Sequence, residues 1–227
     1  MARLLVVQHE PECPPGLLSD VAAAAGLDLE VVDAPRRPRL ALDGADGLAV
    51  LGGTMGAYDG ATVPHLAPTM ALLRRAAADE VPVLGICLGA QLAAHALGGR
   101  AYPGPAGPEM GWNRLELTPA GRADPVVGRL GEPATVLVWH KDTFDLPPGA
   151  ELLARGAGYA NQAFRLGSVV ALQFHPEVDA GVLAAWYAQA EAPPPVPEPV
   201  MQAGLADHGA AARRVLDAFC GVVAGSA

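Results

Sequence analysis

The stretch VPVLGICLGAQLAAHALGG at residues 81–99 decides the fold. Residues 81–86 form an apolar run, and residues 88–97 carry apolar side chains at helical spacing until Gly98 and Gly99 end the segment. A strand with no polar face must be covered on both sides, as parallel strands between helices are. Between strand and helix stands G-x-C-x-G, with Gly85 and Gly89 around Cys87. This is the layout of a nucleophile elbow, in which small neighbours permit a tight turn that lifts the central side chain out of the sheet. The thiol then lies at a helix N-terminus, whose partial positive charge favours thiolate. Taken alone, a free cysteine is most often a small buried hydrophobe.

Outward from this unit the same texture repeats. Residues 4–7, 29–32 and 48–51 are short apolar runs, and residues 17–25 and 66–78 between them have helical periodicity. Alternating strands and helices predict an α/β fold: a doubly wound, mostly parallel sheet with helices on both faces. After Gly99 the pattern changes to short runs at 112–117, 135–139 and 169–174 spaced by turns, without long helical segments, which predicts a small antiparallel extension of the same domain. Residues 1–190 are thus expected to form one domain, the Pro-rich residues 191–200 a stiff connector, and residues 201–227 a C-terminal helix packed on the domain.

Composition narrows the function. The 227 residues include 15 Lys and Arg against 24 Asp and Glu, a net charge of −9, which argues against nucleic-acid backbones and anionic membranes as partners. A hydrophobic content of 51% with 17% charged residues supports a buried core rather than disorder. No apolar stretch approaches the roughly 18 residues of a membrane helix, and the N-terminal apolar run is too short for a secretory signal, so a cytoplasmic location is expected. Three widely spaced cysteines are not a disulfide framework. Lys141 is the only lysine, which excludes a GK[ST] phosphate loop, and GxGxxG, CxxC and HExxH are absent, so neither cofactor nor metal is expected. His9, Glu10 and Cys13 can be drawn as metal ligands, but the prolines beside them give a loop with no fixed geometry. His65 and His95 read as helix or loop histidines without partners.

Two further signals converge on the elbow. The run 169–174 leads into His175-Pro176-Glu177, and residues two apart on a strand face the same way, so His175 and Glu177 can reach one site. A thiol nucleophile needs a base, and the base needs an acceptor that fixes its tautomer. Gly52 and Gly53 follow the run 48–51, and in a doubly wound sheet ligands gather at the C-terminal strand ends. The N–H groups of Gly53 and Leu88 are therefore the expected oxyanion donors. Each signal has a bland reading by itself: a surface His-Glu pair, and an ordinary Gly-Gly turn.

Together, Gly52-Gly53, the elbow from Gly85 to Gln91 and the segment Gln173-Phe-His175-Pro-Glu177 closely resemble the class I glutamine amidotransferase family, in particular a stand-alone branch similar to the glutaminase domain of GMP synthase. Glu109-Met-Gly111-Trp112, Trp139-His140-Lys-Asp142-Thr-Phe144 and Asn161-Gln-Ala-Phe-Arg165 extend the resemblance to about residue 190. It implies a flavodoxin-like three-layer fold, and a reaction in which Cys87 attacks the side-chain amide of glutamine, a γ-glutamyl thioester forms, and ammonia and then glutamate leave. In that scheme His175 is base and then acid, and Glu177 orients it. Gly53 and Leu88 form the oxyanion hole, while Gln91, Gly52 and His140 border the substrate.

Family members that make a product carry or recruit a synthetase that consumes the ammonia, and this chain holds no such second domain. Either a separate ammonia-accepting synthetase is the partner, or hydrolysis of a γ-glutamyl amide is itself the reaction, as in a γ-glutamyl peptidase. A third reading is a catalytically silent regulatory module of the same fold, against which the intact Cys, His and Glu set argues. A flip of the peptide between Gly52 and Gly53, which glycine makes easy, would leave such a set present but idle.

Overall fold

The computed structural model describes residues 1–37, 39–190 and 193–226. Among the described residues, eleven strands and six α-helices follow one another as β1 Arg3–Gln8, α1 Leu17–Ala24, β2 Asp28–Asp33, β3 Gly47–Val50, α2 Leu66–Ala78, β4 Val83–Ile86, α3 Leu88–Ala96, β5 Arg100–Pro103, β6 Glu109–Leu117, α4 Pro119–Ala123, β7 Ala134–His140, β8 Asp142–Asp145, β9 Glu151–Arg155, β10 Ala163–Leu166, β11 Val169–Leu172, α5 Ala180–Gln189 and α6 Glu198–Gly225. The main sheet runs β2-β1-β3-β4-β11-β10-β9-β6-β7. Its first five strands are parallel, in the doubly wound order in which the winding reverses beside β1. The other four pair antiparallel, so the extension supplies nearly half of the sheet. β5 and β8 form a separate antiparallel pair.

The alternation of side chains along β1 shows why both faces must be covered. Leu4 and Val6 point into one core with Leu18 and Val21 of α1 and Phe219 and Val223 of α6, while Leu5 and Val7 point into the other with Leu72 and Leu73 of α2 and Leu88 and Leu92 of α3. In α2 the buried Leu66, Thr69, Leu72, Leu73 and Ala76 fall on one stripe of helical period.

Two sequence expectations need correction, and one helix was not foreseen. The last helix begins at Glu198 rather than at 201, because Pro199 in its first turn gives up an N–H that has no intrahelical partner anyway; residues 191 and 192 of the expected connector lie outside the described residues. A ten-residue helix, α5, follows the last of the expected runs, where the sequence reading assigned no element, and the Asp179 side chain caps it by accepting from Val182 N–H at 2.9 Å. The strand expected to reach residue 174 ends at Leu172, since the Gln173 N–H turns to the Gln162 carbonyl and the His175 N–H to Leu137.

Candidate active site

Cys87 stands between β4 and α3 with φ +51° and ψ −106°, a left-handed conformation that costs energy in any residue but glycine. Backbone bonds hold it there. Its N–H donates to the Leu172 carbonyl of β11 at 2.8 Å, and its own carbonyl accepts from Gln91 N–H at 3.1 Å. The flanking glycines are dictated by proximity: a Cβ on Gly85 would fall 2.8 Å from the Gly89 carbonyl oxygen, and a Cβ on Gly89 only 2.0 Å from the Val50 carbonyl oxygen. The thiol is buried, with Sγ 3.9 Å from the Trp139 carbonyl oxygen at the end of β7.

His175 and Glu177 come from the loop after β11 rather than from the strand itself, and they meet there. His175 Nδ1 donates to Glu177 Oε1 at 2.7 Å, with both side chains buried. Burial works against the imidazolium, but the Glu177 carboxylate and the charge of Cys87 outweigh it and hold the His175 pKa well above the usual histidine value. The Nε2 atom has no hydrogen-bond partner among the described residues. Gly52 abuts both the ring and the elbow: a Cβ there would sit 3.3 Å from His175 Cε1 and 3.7 Å from Cys87 Cβ. Gly53 abuts the Leu88 side chain and the His9 Cβ. Neither the Gly53 nor the Leu88 N–H donates to an acceptor among the described residues.

Gln91 and His140 converge on the carbonyl of Asp142 rather than on the thiol. Gln91 Nε2 donates to that oxygen at 3.2 Å and to Gln173 Oε1 at 3.2 Å. His140 Nδ1 donates to it at 2.9 Å, while Nε2 lies 3.2 Å from Glu109 Oε2. Asp142 in turn accepts from the Tyr58 hydroxyl at 2.9 Å.

Two contributors escape the sequence reading. Trp186 of α5 stands beside His175, and its indole N–H donates to the Glu12 carbonyl at 2.7 Å; the Asp179 cap ahead of an apolar run is the signal that could have found it. The loop of residues 9–16 also borders Glu177: Leu17 N–H donates to the Glu177 carbonyl at 2.8 Å and Gly16 packs against it. His65 is not without a partner, since its ring stacks on His9 at 5.3 Å. Burial and His65 lower the His9 pKa to about 3, so His9 stays neutral. No cluster of His, Cys, Asp or Glu suited to a metal occurs among the described residues.

A strained thiol at a helix N-terminus, a buried His-Glu pair beside it and a glycine loop over both is the equipment of acyl transfer to sulfur. The model of the family Glutamine amidotransferase class-I matches residues 17–189. The chain belongs to this family. As a class-I glutamine amidotransferase domain, it is 44% identical over 108 residues to the glutamine-hydrolyzing GMP synthase of Thermomicrobium roseum, a match that covers 43% of this chain and only 18% of that longer protein. It is 32% identical over 156 residues to a glutamine-hydrolyzing GMP synthase subunit from Haloquadratum walsbyi, covering 67% of this chain and 77% of the relative. The solved structure of a glutamine amidotransferase from Thermotoga maritima superposes with a TM-score of 0.90 at 28% identity, covering 98% of both chains. No helix of this amidotransferase domain is long and apolar enough, among the described residues, to cross a membrane.

Proposed function

We propose that this amidotransferase domain hydrolyses the side-chain amide of glutamine. The observation that carries the reading is Cys87 in its left-handed elbow, with the buried His175–Glu177 pair close beside it and Gly52 against both. Cys87 Sγ, deprotonated by His175, attacks the amide carbon, and the resulting oxyanion is met by the N–H groups of Gly53 and Leu88. His175 then protonates the departing nitrogen, ammonia leaves, and a γ-glutamyl thioester remains. Water attacks the thioester with His175 again taking the proton, freeing glutamate and the thiol. Glu177 keeps the imidazole in the tautomer that presents Nε2 to the reacting atoms. Gln91, Gly52 and His140 border the glutamine, the first and last by shaping the wall at Asp142.

The ammonia is destined for a separate synthetase. Support comes from the similarity to a protein named as one subunit of a glutamine-hydrolyzing GMP synthase, 32% identical over 156 residues.

The test is glutamate release from glutamine by the purified protein, with Cys87→Ala as its paired control. Turnover that disappears in the variant is the expected result. Turnover of γ-glutamyl peptides with none of glutamine would replace this reading by that of a γ-glutamyl hydrolase.

A further inference from the structure

Resting on the reading above, we propose that Glu10 is a positioning residue that locks the oxyanion loop in its working form, so that the site is preassembled in the free protein. Glu10 lies in the loop after β1, outside the set of residues that touch substrate in the proposed reaction. Its carboxylate reaches across to the loop after β3 and accepts twice from one residue: from the Thr54 N–H at 2.9 Å and from the Thr54 hydroxyl at 2.5 Å. A bidentate, charge-assisted pair of this kind fixes direction as well as distance.

The clamp is anchored at its own end. The Glu10 carbonyl accepts from Gln8 Nε2 at 2.8 Å and from Cys13 N–H at 3.1 Å, so the residue cannot drift with its loop. At the other end it holds the peptide that immediately follows Gly53. Gly52 is wedged against His175 and Cys87, and Gly53 against His9 Cβ, Leu88 and Met55, with a Cβ at Gly53 falling 2.9 Å from Leu88 Cδ2 and 2.7 Å from Met55 Sδ. The positions of these two α-carbons set where the Gly53 N–H points. Thr54 itself is exposed and no other hydrogen bond seats it among the described residues, so the carboxylate of Glu10 is what keeps Gly53 pressed into that wedge. The conformational ease that two glycines bring to the loop is thereby removed by a residue 42 positions away from Gly52 in sequence.

The same loop ties the remaining parts together. The Glu12 carbonyl receives the Trp186 indole, which backs His175, and Leu17 N–H binds the Glu177 carbonyl. Oxyanion loop, base and base-orienting carboxylate are thus referenced to one short segment, and Glu10 is the contact that serves the oxyanion loop.

The deciding experiment compares wild type with Glu10→Ala and Glu10→Gln in steady-state glutamine hydrolysis, Cys87 alkylation by iodoacetamide, and hydrogen exchange of the Thr54 amide. Removing an oxyanion donor outright lowers kcat by about 100- to 1000-fold, so loosening one should cost about 10- to 100-fold. Glu10→Ala is expected to lose this in kcat with KM within about twofold, to leave the alkylation rate unchanged because that reaction forms no oxyanion, and to speed Thr54 exchange. Glu10→Gln keeps one acceptor and should fall between wild type and Glu10→Ala. Wild-type kcat in Glu10→Ala would overturn the inference while leaving the proposed function intact. If the wild type turns over no γ-glutamyl amide, the proposed function fails instead, and the exchange measurement still decides: an unaltered Thr54 amide overturns the clamp.

Discussion

Trp186 presents its ring edge-on to His175, with centroids 4.9 Å apart and planes inclined at 75°. Trp139 packs on Trp186 in turn at 5.5 Å. The proposed base is therefore held by Glu177 through Nδ1 and bordered by an aromatic wall, which restricts its tilt.

Removing that wall should tell on turnover more than on folding. Trp186→Ala is expected to lower kcat for glutamine about 10- to 100-fold, the usual cost of small misplacement of a reacting group. Trp186→Phe keeps the ring contact but loses the bond to the Glu12 carbonyl, and should cost about 1 kcal/mol in stability with a smaller kinetic loss. Steady-state kinetics beside urea denaturation separates the two effects.

The cysteines should differ sharply in reactivity. Burial and Asp217 push the Cys220 thiol up to about 12, and burial together with Cys87 and nearby carboxylates raises Cys13 as well. At neutral pH both are protonated and poor nucleophiles. Brief treatment with iodoacetamide should add one label, at Cys87, and Cys87→Ser should prevent it; intact mass and peptide mapping provide the check. Equal labelling of all three would remove the case for an activated thiol.

The His175–Glu177 pair makes stability depend on pH with a definite sign. A histidine whose pKa is raised by folding stabilises the native state through its protonated form. That contribution is fully present below the unfolded histidine pKa and is lost as pH rises through the elevated native value. Glu177→Gln should therefore narrow the gap in melting temperature between neutral and alkaline buffer, and a slope equal to wild type would contradict the assignment.

Asp124 should act with the opposite sign. Burial alone would raise its pKa, but Arg165 and the N–H groups of Val127 and Val126, at 2.8 and 2.9 Å, bring it below the usual value. Its contribution is present above the unfolded carboxyl pKa and lost as pH falls through the depressed native one. Asp124→Asn should cost about 1–3 kcal/mol at neutral pH, with the deficit shrinking in acid, as urea midpoints across pH will reveal.

At the elbow, Gly89→Ala sets a methyl group against the Val50 carbonyl. Forced overpacking costs about 1–3 kcal/mol, and here the obstacle is backbone, so the upper end is expected. Thermal denaturation will show the loss, and alkylation of Cys87 should slow as the turn shifts.

The elbow is legible in the sequence because its constraints are local: strand, turn and helix N-terminus all fall within residues 81–97, and the glycines that permit the turn are visible as letters. The parallel half of the sheet is legible for the same reason, since strands buried on both faces are apolar throughout. What escapes depends on distant pairing. The four-residue strands β5 and β8 exist only through each other, and β9 and β10 are short and partly polar. Helix α5 is apolar nearly all round, which blurs its period, so only the Asp179 cap marks it. His9 and His65 lie 56 residues apart and nothing in either neighbourhood announces the stack. His175 and Glu177 do pair, but through a different element from the strand expected, because alternation along a strand and a tight Pro-centred loop both bring residues two apart to one side.

The bond from the Cys87 N–H to the Leu172 carbonyl carries a consequence for the order of assembly. The strained turn is sustained by a partner 85 residues downstream, and the base, its acceptor and Trp186 come later still. On a growing chain, β1, β3 and β4 can pair before that partner exists. The described turn needs β11 beside β4, so it can be held in this form only after residue 172 has been made.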